Sequence, residues 1–146
     1  MNRRIWWIVI GVGVVVGAAI LIGVLATRDN SSTNKTEATN NLCASLKTLD
    51  TSVKNLTSLD PNTATKSQYQ TDVTAVQNNW NQVKSDAQAV QNAPTGDLDS
   101  AWNSFSSAVK NVPNSASASD AVNAVSQSAK ALSSAAESTQ SQLSNC

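Results

Sequence analysis

The chain has 146 residues, with ten Lys and Arg against ten Asp and Glu, no His, two Cys and five Gly. That length holds one small domain with an appendage rather than two cores. Without histidine there is no imidazole base, no Ser-His or Cys-His nucleophile pair and none of the common zinc sets. Balanced charge, with only 14% charged residues, argues against a nucleic-acid surface, which needs clustered Lys and Arg.

Residues 5–26 read IWWIVIGVGVVVGAAILIGVLA, 22 consecutive positions with no charge and no polar side chain. As a helix the run would span roughly 33 Å, enough for the hydrocarbon slab of a bilayer. Arg3 and Arg4 precede it, whereas Arg28 is followed at once by Asp29. Keeping the positive end in the cytoplasm predicts a signal anchor over 5–26. Residues 1–4 then stay inside, Trp6 and Trp7 lie at the inner interface, and everything after residue 26 is extracytoplasmic. Gly13 and Gly17 form a Gly-x-x-x-Gly pair through which two such helices could pack as a homodimer, although glycine is also common in membrane helices for its own sake. The alternative is a long signal peptide cut after Ala26, where Val24, Leu25 and Ala26 offer a small-x-small site. The usual signal core of roughly 7–15 apolar residues is shorter than this run.

Beyond residue 26 the composition inverts: Ser, Thr, Asn and Gln make up 58 of 120 residues, and Gly96 is the one remaining glycine. Residues 27–41 (TRDNSSTNKTEATNN) are almost devoid of apolar side chains and read as a flexible polar stalk.

From residue 42 onward apolar positions recur in alternating steps of four and three, in four separate sets. The first is Leu42, Leu46, Leu49, Val53 and Leu56, with Leu59 beyond. The second is Tyr69, Val73, Val76, Trp80, Val83, Ala87 and Val90. The third is Leu98, Trp102, Phe105, Val109 and Val112. The fourth is Ala118, Val122, Val125, Ala129, Leu132, Ala136, Thr139, Leu143 and Cys146. Such spacing draws one narrow seam along each helix, whereas strands would alternate every second residue. The gaps carry matching punctuation. Asp60 and Pro61 stop the first helix, and Thr65 with Gln68 forms a capping box for the second. The run Pro94, Thr95, Gly96, Asp97 ends the second and offers Asp97 as the next cap. Pro113 ends the third, and Ser117 with Asp120 has capping-box spacing before the fourth. The predicted fold over residues 42–146 is therefore all-α, an up-down-up-down four-helix bundle.

A seam made so largely of Ala, Val and Thr is a thin core to set against ordering costs of roughly 1.5 kcal/mol per residue, and the two cysteines offer a staple. Cys43 begins the first helix and Cys146 ends the fourth. An even number of antiparallel helices brings both to one end, so a Cys43–Cys146 disulfide is predicted. Two unrelated thiols, one of them linking to another chain, are the alternative. Closing so long a loop stabilises a fold by about 4–5 kcal/mol on chain-entropy grounds, and the exported side is where disulfides persist.

The remaining candidates have plainer explanations. Tyr69, Trp80, Trp102 and Phe105 could form an aromatic platform, but all occupy seam positions that burial explains. Asp97 and Asp99 resemble the start of a metal site, yet acidic residues at a helix start complement its free amides and dipole. Asp50 and Lys54 read as a surface pair one helical turn apart. Lys47, Lys54, Lys66, Lys84, Lys110 and Lys130 sit in no recognisable nucleophile motif, so no serine has an evident base. Asn30, Asn34 and Asn55 lie in glycosylation sequons, which a chain this rich in Asn, Ser and Thr produces by chance.

The stretch Leu42-Cys43-Ala44-Ser45-Leu46-Lys47, then Asn78-Asn79-Trp80, Ala101-Trp102-Asn103-Ser104-Phe105 and the terminal Cys146 resemble small uncharacterised exported helical proteins of Gram-positive bacteria. The likeness covers most of residues 42–146. It implies a cell type and export, with no activity and no site residue. Taken together, the sequence implies a non-catalytic, membrane-anchored envelope protein without cofactor or metal. Its contacts are membrane lipid and a protein or cell-wall partner. A sensory ectodomain acting through a membrane partner, or a secreted small-molecule carrier released after Ala26, are the competing readings.

Overall fold

The computed structural model describes residues 31–143 and Cys146. The apolar run at 5–26, its Gly13 and Gly17 pair and the cleavage position after Ala26 lie outside the described residues. Among those described, no helix is long and apolar enough to cross a membrane.

Four helices follow in order: α1 (Ser31–Thr57), α2 (Lys66–Ala89), α3 (Gly96–Asn111) and α4 (Ala118–Gln142). Each buries the seam that its 4-3 spacing draws. Leu42, Leu46, Leu49, Val53 and Leu56 of α1 meet Tyr69, Val73, Val76, Trp80 and Val83 of α2, Leu98 and Phe105 of α3, and Val122, Val125, Ala129, Leu132 and Ala136 of α4 in one core. Leu59, Ala87, Val90, Trp102, Val109, Val112 and Leu143 pack around it half-buried. The four-helix bundle expected from the sequence is the fold.

Three buried polar residues stand beside the α1 seam. The hydroxyls of Ser45 and Ser52 donate to the carbonyls of Leu42 and Leu49 one turn earlier, at 3.0 and 2.8 Å. Because the helix itself satisfies them, they can be buried at little cost. Asp50 is the third, and one of its partners, Ser133, comes from another helix.

Two boundaries differ from expectation. The stalk expected over 27–41 is helical from Ser31 onward, continuous with α1. Extending a helix already held by packing costs far less than starting one, and residues 31–41 contain no Gly or Pro to stop the extension. Ala38 and Thr39 are half-buried, and the Thr39 hydroxyl donates to the Lys35 carbonyl at 2.9 Å. At the other boundary Asp97 is not a cap. Thr95 holds that position, making no side-chain cap bond, and α3 starts at Gly96 with Asp97 and Asp99 inside its first turn. The other two caps form as expected. Gln68 N–H donates to Thr65 Oγ1 at 3.2 Å while Thr65 N–H donates to Gln68 Oε1 at 2.8 Å. Asp120 N–H donates to Ser117 Oγ at 3.1 Å.

The helices do not pack as an even square. α1 lies against both α2 and α4, and α3 lies against α4, while the backbones of α2 and α3 stay apart. Trp80 of α2 and Trp102 of α3 bridge that gap as a stacked pair, ring centroids 4.9 Å apart and planes within 15°. Interaxial distance follows the size of the side chains at the contact, and two indoles face to face hold their helices wide.

Candidate functional site

The chemistry-bearing residues gather in three places: the disulfide end, a polar cluster between α1 and α4, and the cleft left open between α2 and α3.

At the disulfide end, Cys43 and Cys146 are bonded, their Cα atoms 5.4 Å apart across a sequence separation of 103. Cys43 does not begin the first helix, since α1 starts twelve residues earlier at Ser31; α4 returns antiparallel to α1 and brings Cys146 beside its middle. Cys146 is exposed and Cys43 half-buried, so the bond lies within reach of solvent.

The polar cluster begins with Asp50, which the structure buries to 9% exposure instead of leaving it on the surface. One of its carboxylate oxygens accepts from the Ser133 hydroxyl of α4. The other accepts from Lys54 Nζ at 2.7 Å, and Lys54 also donates to Glu137 of α4 at 2.9 Å. The surface pair expected for Asp50 and Lys54 is thus a four-residue link between helices. These bonds, to Asp50 first and Glu137 second, hold the Lys54 ammonium well above its usual pKa. All four groups are satisfied by one another, and none faces a cavity as a free acid or base. The arrangement fixes how α1 and α4 register. Replacing Ser133 by Ala leaves an Asp50 oxygen short of a partner and should cost about 1–2 kcal/mol in urea unfolding. The Lys54→Met change leaves the other oxygen of the same buried carboxylate unpaired and removes its counter-charge, and should cost at least as much.

Of the four aromatic seam residues, Tyr69, Trp80 and Phe105 are buried and Trp102 is half-buried. Trp102 also leans on Phe105 at 5.7 Å. Burial accounts for them, and they present no open platform. The Tyr69 hydroxyl is buried without a hydrogen-bond partner, and burial raises its pKa. An unpaired buried hydroxyl costs about 1–3 kcal/mol. Tyr69→Phe is accordingly expected to raise the midpoint of thermal unfolding, an unusual direction for a core substitution.

Lys54 and Tyr69 both carry raised pKa values in the folded state, from ordinary values of 10.5 and 10.0. In both, the folded state holds the proton more tightly than the unfolded one, so stability is independent of pH well below the unfolded pKa. It falls from there as pH rises through the folded pKa, because Lys54 loses its paired charge and Tyr69 must ionise while buried. Their contribution is therefore constant across neutral pH and declines above about pH 10. Urea midpoints measured from neutral to alkaline pH would show this.

Asp97 and Asp99 stand apart from other ligands, and among the described residues no group of three or more His, Cys, Asp or Glu could hold a metal ion. The α2–α3 cleft is the feature that sequence reasoning missed. It encloses about 330 Å³, lined on α2 by Trp80, Val83, Lys84, Ala87 and Gln88 and on the other wall by Ala93, Thr95 and Asp99. No spacing rule shows it, because it results from two helices failing to close. A second groove, between α1 and α2, is wider and lined by short residues including Ala44, Thr48, Thr51 and Ala75. The Thr48 and Thr51 hydroxyls there donate to the carbonyls of Ala44 and Lys47. No family model, curated protein or solved structure matches this chain.

Proposed function

We infer that the chain is a non-catalytic, membrane-anchored protein of the cell envelope, its helical bundle displayed outside the cytoplasm as an interaction or structural module. The Cys43–Cys146 bond is the observation that supports this most, since disulfides persist in exported proteins and are rare in the cytosol. The apolar run at 5–26 with Arg3 and Arg4 before it supports anchoring in that orientation. The helical start of α1 adds a physical role for residues 31–41. At 1.5 Å per residue they form a riser of roughly 16 Å, which would carry the bundle off a membrane surface. The working surface on this reading is the polar, nearly neutral outer faces of the helices, offered to a protein or a wall component. Gly13 and Gly17 would allow two anchors to pair.

The sensory reading draws some support from the α2–α3 cleft, and would need a partner in the membrane to carry an output. A secreted carrier would call for an enclosed apolar cavity, and both grooves described above are open and partly polar.

Fractionation of cells together with the mass of the mature chain tests the anchor. A full-length chain in the membrane fraction is expected. A soluble product beginning at residue 27 would replace this reading with the secreted one.

A further inference from the structure

We propose that the α2–α3 cleft is a binding site for a small zwitterion with an apolar side chain, a free α-amino acid or a dipeptide. The proposal holds whether or not the chain is anchored. The cleft exists because its walls are short where a seam would ordinarily be filled. Ala87 occupies a seam position of α2, Ala93 faces it from the connecting turn, and the stacked Trp80 and Trp102 keep the helices from closing. The apolar floor open to a ligand is that of the half-buried Ala87 and Ala93, since Trp80 and Val83 also line the cleft but are almost wholly buried. The volume of about 330 Å³, open to solvent, lies within the size class of small-ligand pockets.

The rim supplies the chemistry. Lys84 lies on α2 and Asp99 on α3, so opposite charges border one opening from opposite walls, and neither has an ion-pair or side-chain hydrogen-bond partner among the described residues. The Gln88 amide and the Thr95 hydroxyl at the same rim are likewise without side-chain partners. This contrasts with Asp50, Lys54, Ser133 and Glu137, which satisfy one another completely. A ligand carrying both an ammonium and a carboxylate, on one α-carbon in an amino acid or at the two ends of a dipeptide, offers a partner to each of Asp99 and Lys84, its side chain lying on the floor. A purely anionic or cationic ligand leaves one rim charge facing its own sign. Solvent-facing ion pairs contribute little each, so binding is weak and either charge alone changes it only modestly.

The test is a titration of the full chain in mild detergent with L-leucine, L-phenylalanine and Leu-Leu, followed by amide chemical shifts of residues 83–99 and by tryptophan emission. Saturable shifts confined to that segment are expected, with Lys84→Gln and Asp99→Asn each weakening binding by up to about five-fold. The double charge reversal K84D/D99K should restore part of the affinity. Ala87→Leu fills the floor and should abolish binding while leaving the unfolding midpoint equal or higher. Whether leucine or Leu-Leu binds more tightly tells the free amino acid from the peptide. The proposal is overturned if none of the zwitterions shifts these amides. It is overturned equally if N-acetyl-leucine amide, which carries neither charge, shifts them as strongly, or if the charge variants bind unchanged.

Discussion

Replacing Cys146 by Ser is expected to lower the stability of the bundle by about 4–5 kcal/mol, comparable to the whole stability of many small domains. The size follows from where the bond sits. It joins Cys43, near the middle of α1, to Cys146 beyond α4 across a separation of 103 residues, so α2, α3 and α4 all lie inside the closed loop and the loop-closure entropy removed from the unfolded chain is large for a single cross-link. The folded side is expected to change little, since the core around Leu42, Leu46 and Leu132 is fully buried by side chains of all four helices. Urea unfolding of the oxidised protein, of the same protein under reductant, and of the variant should place the last two together, well below the first. A difference under about 1 kcal/mol would mean that the core alone holds the fold.

Phe105→Ala carries the second large effect, a loss of about 3–5 kcal/mol. α3 is the shortest helix, and only Leu98 and Phe105 on it are fully buried. Its backbone lies mainly against α4, with α2 reached through the Trp80 and Trp102 stack. Removing the ring also withdraws the support that Trp102 takes from Phe105 at 5.7 Å. The loss should appear first in α3: its amides should exchange with solvent faster than those of α1 and α4, and the native tryptophan emission should shift to the red. Uniform loss of protection across all four helices would show that α3 is bound as firmly as the rest.

How much of this was legible in the sequence depended on the kind of interaction. Seams such as Leu42 to Leu56 and Val122 to Ala136 were readable because burial on a helix leaves its period in the apolar residues. The pairing of Cys43 with Cys146 was readable because the direction of the chain alternates with each helix. The cap at Thr65 was readable because its partner Gln68 lies three residues away. Asp97 misled because two acidic residues at a helix start serve the free amides and the dipole whether or not they occupy the cap, and α3 is capped by Thr95 and so begins two residues sooner. Residues 31–41 misled because their composition suggests a coil, while the helix they extend is nucleated by residues further along. Asp50 misled in the other direction. Its partner Lys54 was visible one turn away, but Ser133 and Glu137 meet it only through tertiary contact, as do the two walls of the α2–α3 cleft.

The bundle is closed on itself by one intrachain bond between Cys43 and Cys146. The most direct test of that bond is peptide mapping of the native protein, taken from cells with free thiols blocked at lysis and digested without reduction. One linked pair of peptides carrying Cys43 and Cys146 from a single chain is expected, with neither cysteine bearing the blocking group. Both cysteines blocked, or a link between two copies, would contradict it.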